Sequence, residues 1–64
     1  MNENITKATQ TVWFLESDIL AAYSESIQIE RPEGRTVGDK AMTAYLADCL
    51  SDVRALQNKL AVLS

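Results

Sequence analysis

Residues 42–63 read MTAYLADCLSDVRALQNKLAVL, and the apolar side chains in this stretch keep a fixed rhythm. Met42, Leu46, Cys49, Val53, Leu56, Leu60 and Leu63 advance by four, three, four, three, four and three residues, which lines one seam of a single long helix. A seam of that length must be covered by other apolar surface, so the rest of the chain is best read by asking what could cover it.

Residues 4–27 hold neither glycine nor proline, and both glycines and the only proline fall between Pro32 and Gly38. That punctuation predicts helix, connector, helix. The expected spans are about 4–27 for the first helix, about 28–38 for the connector and about 39–63 for the second helix, all within one domain. The first helix carries its own narrow seam at Ile5, Ala8, Val12, Leu15, Ile19 and Ala22, and beside it a second row at Trp13, Leu20, Tyr23 and Ile27. In the connector, Arg31-Pro32-Glu33-Gly34 has the chemistry of a tight reversal, because proline presets one backbone angle and glycine tolerates the backbone angles at the end of the turn. Thr36 with Asp39 three residues later reads as a capping pair for the second helix, with Asp39 as the cap itself a close second reading.

The implied fold class is all-α: two long helices folded back as an antiparallel hairpin with the narrow seams facing. One neighbouring helix cannot also cover the second row. Trp13, Leu20, Tyr23 and Ile27, together with Tyr45, Leu46 and Leu50 near the start of the second helix, are therefore expected at a dimer contact, and Val53, Leu56 and Leu60 in the core. Two hairpins related by a two-fold axis would form a four-helix bundle. Length points the same way. A chain of 64 residues is marginal on its own, and with one cysteine and no histidine it can use neither a disulfide within the chain nor a histidine-based metal site. Association is the remaining aid, with a homodimer preferred over a different protein supplying the missing helices.

Nine acidic against six basic residues leave a net charge of −3, which argues against a surface built to neutralise phosphates. Lys40, Arg54, Lys59, Arg31 and Arg35 do not share one face of the predicted helices. The opening residues, Met1 to Lys7, lack a basic segment followed by an apolar core, and no stretch approaches the length of a membrane span, so a cytoplasmic location is expected. No nucleophile stands beside a base, no glycine-rich phosphate loop is present, and no metal-ligand motif occurs. Hence no enzyme activity, cofactor or metal is expected. Glu16 falls at the rim between the two apolar rows, Asp48 and Asp52 read as a solvated face, and Cys49 reads as a small buried apolar residue on the seam.

Two features are surplus to folding. Phe14 points away from the apolar arc, among Lys7, Gln10, Asp18 and Glu25, and the connector carries Arg31, Glu33 and Arg35 close together. These four residues are the candidate contacts for an outside partner, against a core or dimer contact for Phe14 and the ordinary polarity of a turn for the connector. The functional expectation is a small non-enzymatic interaction module that self-associates and modulates a larger protein, as an adaptor or an inhibitor of the kind phages and mobile elements encode. Two alternatives stand beside it. One is an acidic mimic of nucleic acid directed at a defence or other nucleic-acid-binding enzyme. The other is an RNA- or DNA-associated regulator, because the architecture is like that of the small dimeric RNA-binding hairpins that control plasmid copy number, though no motif is shared.

Overall fold

The computed structural model describes residues 2–63 and contains two helices, α1 (Glu3–Ile27) and α2 (Val37–Leu63), packed against each other as a hairpin. Helix α1 starts where Asn2 turns its side-chain oxygen back on the first turn, accepting from the amides of Asn4 (2.8 Å) and Ile5 (3.4 Å). It ends by tightening its last turn: the Gln28 and Ile29 amides donate to the Glu25 and Ser26 carbonyls. The reversal at Arg31 to Gly34 forms as expected. The Gly34 amide donates to the Arg31 carbonyl at 2.9 Å, and Gly34 has φ of 90°, a conformation in which a side chain would be strained.

The capping pair of α2 is reciprocal. The Asp39 amide donates to the Thr36 hydroxyl at 3.0 Å, and the Thr36 amide donates to the Asp39 carboxylate at 2.9 Å. With Thr36 as the cap, the helix begins at Val37, two residues ahead of the expected start.

The face between the helices is not the one the apolar seam implies. The residues of α1 turned towards α2 are Ile5, Thr9, Val12, Glu16, Ile19, Tyr23 and Ser26; those of α2 turned towards α1 are Asp39, Thr43, Leu46, Leu50, Val53, Gln57 and Leu60. Both sets keep the four-and-three spacing of an antiparallel coiled coil. If the inner positions are lettered a and d, the d row of each helix (Val12 and Ile19; Leu46, Val53 and Leu60) belongs to the expected seam. The a row does not. Thr9, Glu16, Tyr23, Thr43 and Gln57, polar or amphipathic, and the apolar Leu50 stand where the seam places Ala8, Leu15, Ala22, Met42, Leu56 and Cys49. The expected seam is d plus g, and the interface is d plus a, a rotation of each helix by about 50°, one seventh of a turn.

The physical reason lies in Glu16, Thr43 and Gln57 among the a positions, which bond across the interface. Glu16 accepts from Arg54 at 3.0 Å and from Gln57 at 3.2 Å, and the Ser26 and Thr43 hydroxyls meet directly. Turning the helices to bury the g row would break these bonds. As a result Leu15, Met42 and Leu56 remain substantially exposed, Cys49 is exposed, and Val12, Leu50 and Val53 are the only apolar residues buried among those described, none of them completely.

At the closed end Arg35 ties the two helices together. Its guanidinium donates to the Ser26 carbonyl (2.8 Å) and the Ile29 carbonyl (3.4 Å) at the end of α1, and to the Asp39 carbonyl (3.3 Å) and Thr43 hydroxyl (2.7 Å) of α2. A cation at the negative end of the α1 dipole, shared with the first turns of α2, fixes the angle at which the chain re-enters. Replacing Arg35 by alanine is expected to cost about 2 kcal/mol, roughly 10 °C in a chain of this size. Arg35→Lys should restore only part of the loss, because an ammonium lacks the flat fork that reaches both helices. Thermal melts by circular dichroism check this; an unchanged melting temperature for Arg35→Ala contradicts it.

Candidate functional site

Four surfaces compete as candidates: the connector, each of the two broad faces of the hairpin, and the outer side of α1 around Phe14. The connector is held by charge. Arg31 makes a forked pair with Asp39, its Nε 2.6 Å and its Nη2 2.8 Å from the two carboxylate oxygens. Asp39 is only 5% exposed, and three donors converge on its carboxylate. The Arg31 hydrogen bonds, with those from Thr36, hold the Asp39 carboxyl well below the usual carboxylate range, and the same pairing raises the Arg31 guanidinium. Arg31 and Arg35, two of the candidate partner contacts, are therefore engaged within the chain. Glu33 is exposed at the turn.

Phe14 is 72% exposed, as its angle on the helix predicts. It lies 13 residues before the end of α1, about 20 Å along the axis from the connector, so the structure does not bring Phe14 and the connector residues together in one compact site.

The broad faces are defined by the coiled-coil register, in which the g positions of both helices flank one side of the core and the e positions the other. The g side carries Ala8, Leu15 and Ala22 from α1 and Met42, Cys49, Leu56 and Leu63 from α2, all uncharged. The e side carries Trp13, Leu20 and Ile27 from α1, but Lys40, Ala47, Arg54 and Ala61 from α2. Trp13 is 57% exposed, and Leu20 and Ile27 are about half exposed. The expected dimer strip is thus divided. Leu46 and Leu50 lie inside the hairpin, while Tyr45, 71% exposed, borders the g side, opposite Trp13. Tyr23 and Leu60 are partly buried between the helices. Spacing alone could not separate the two sides, because the polar a positions that set the rotation pair with residues distant in sequence.

Glu16, read as a rim residue, sits instead at an inner position, where bonds from Gln57 and Arg54 lower its pKa. Among the described residues no group of three or more histidine, cysteine, aspartate or glutamate side chains could hold a metal ion, no enclosed cavity is present, and no helix is long and apolar enough to cross a membrane. No protein-family model matches the chain, and no curated protein or solved structure is significantly similar to it.

The two depressed carboxylates give the hairpin a defined pH response. A carboxyl whose folded pKa lies below its unfolded value, about 4, stabilises fully above that value and ceases to do so as pH falls through the folded one. Melting temperature should therefore hold from pH 7 to about 5 and drop steadily towards pH 2. Asp39→Asn should lower it at pH 7 and flatten much of the acid-side drop, leaving the shallower share of Glu16. Parallel profiles for variant and parent would show that Asp39 does not carry the response.

Proposed function

We propose that this chain is a small non-enzymatic interaction module, a helical hairpin that pairs with a second copy as a four-helix bundle in the cytoplasm and binds and modulates a larger protein. The observation that carries the reading is how little the hairpin buries. Its large apolar side chains, among them Trp13, Leu15, Leu20, Ile27, Tyr45 and Leu56, are between 43% and 71% exposed, while Val12, Leu50 and Val53 are the apolar residues buried among those described. Soluble monomers seldom keep apolar strips of this extent uncovered. The forked and reciprocal hydrogen bonds around Asp39 and Arg35 supply a stable closed end, so the apolar faces are the surfaces left for a second copy to cover.

Contact with the larger protein is assigned to the outer side of α1 around Phe14, an exposed aromatic ring among polar neighbours and the residue type that anchors interfaces. The connector contributes through Glu33 and the outward side of the Arg31 guanidinium, with Arg35 holding it in shape.

Sedimentation equilibrium at tens of micromolar should return twice 7.1 kDa; a well-folded species at the single-chain mass contradicts the self-association. Phe14→Ala should leave that mass and the melting temperature unchanged. In quantitative affinity capture from the native host it should reduce recovery of one specific protein about tenfold, corresponding to about 1.4 kcal/mol, within the range of an interface anchor. Equal recovery of every captured protein by variant and parent removes Phe14 from the contact.

A further inference from the structure

We infer that the g side of the hairpin is the face on which the second copy docks, with the two hairpins running in opposite directions so that their connectors lie at opposite ends. The inference rests on the self-association proposed above and assigns it to one of two available faces.

Area and register carry the argument. A folded monomer of this mass exposes about 4,100 Å², whereas the hairpin exposes 4947 Å². The excess, about 850 Å², is close to the 800 Å² or so that each partner contributes to a standard interface. The d row already lies between the helices and the g row continues the same apolar stripe round to one side, in both helices at once. Each stripe is thus wide enough for two neighbours and is centred between them. On the e side the pattern breaks: α2 presents Lys40 and Arg54 there, so a second copy on that face would bury cations.

Charge complementarity at the rim selects the direction. The Ser26–Thr43 and Glu16–Gln57 contacts set the antiparallel register, which places Leu15 and Leu56 at the same level along the hairpin. A two-fold axis crossing the face at that level runs α2 antiparallel to α2 of the second copy. Lys59, on the g-side rim, then comes level with Asp52 of the second copy, and the relation holds in reverse. A two-fold axis along the length of the hairpin would instead bring Asp18 level with Asp52 of the second copy, setting like charges together at an apolar interface.

Cys49 provides a direct probe, because it is exposed in the isolated hairpin and lies on the g side. Alkylation by iodoacetamide, followed by mass spectrometry, should slow at least tenfold between a concentration at which the protein sediments as a monomer and one at which it sediments as a dimer, and guanidinium should restore the full rate. Leu15→Glu should weaken association at least a hundredfold, while Leu20→Glu on the opposite face should change it less than threefold. A protein that dimerises with Cys49 reacting at an unchanged rate, or that is dissociated by Leu20→Glu and not by Leu15→Glu, overturns the g-side assignment while leaving self-association intact. A protein that stays monomeric at every concentration overturns both. For the direction, Lys59→Asp should weaken the dimer and Asp52→Lys in the same chain should restore it; restoration by Asp18→Lys alone would reverse the arrangement.

Discussion

A layer two helices wide has no interior. The Cα atoms of the hairpin span 54 × 14 × 11 Å, so every residue lies within one side-chain length of the surface. Stable domains stack at least two such layers so that each apolar face meets another. This hairpin has only the line of contact between its two helices, and much of that line is polar. Its fold and its proposed association are consequences of the same constraint: what the layer cannot bury within itself is left for a second layer.

The polar residues within that line do not add apolar stability, but they determine which way the helices face. Ser26 with Thr43, Glu16 with Gln57 and Arg54, and Arg35 with carbonyls from both helices all require one rotation and one register. Removing Thr43 would take away the hydroxyl that the buried Ser26 side chain meets, and losing the partner of a buried polar group is costly. An interface of uniform Leu and Ala could slide or rotate at little cost, whereas this one is held in place. The same residues turn the Leu15 and Leu56 rows outward, linking the sequence of the a positions to the surface offered to a partner.

Local signals in the sequence were enough to locate the helices, the turn at Gly34 and the Thr36–Asp39 cap, because each depends on residues within a few positions of one another. The outward placement of Phe14 was legible for the same reason. The helix rotation was not. Apolar spacing favours the d and g rows, and nothing near Glu16 in sequence announces that Gln57 and Arg54 will meet it. The role of Arg35 was hidden likewise, since its acceptors at Ser26, Ile29, Asp39 and Thr43 are assembled only once the chain has reversed. An arginine read as surplus charge on a loop proves to be the clasp of the hairpin.

If the second layer is what completes the core, folding and association must be linked, and the linkage is visible in how melting depends on protein concentration. Species that bind only the folded form raise its apparent stability with their concentration. Melts by circular dichroism at far-ultraviolet wavelengths, taken from about 1 µM to several hundred µM, span more than two decades, over which a linked dimer gains about 1.4 kcal/mol per tenfold rise in concentration. The account predicts a melting temperature that climbs continuously by about ten degrees or more across that range. A melting temperature independent of concentration, with the helix signal intact at the lowest dilution, would show that the single layer stands alone and would contradict the account.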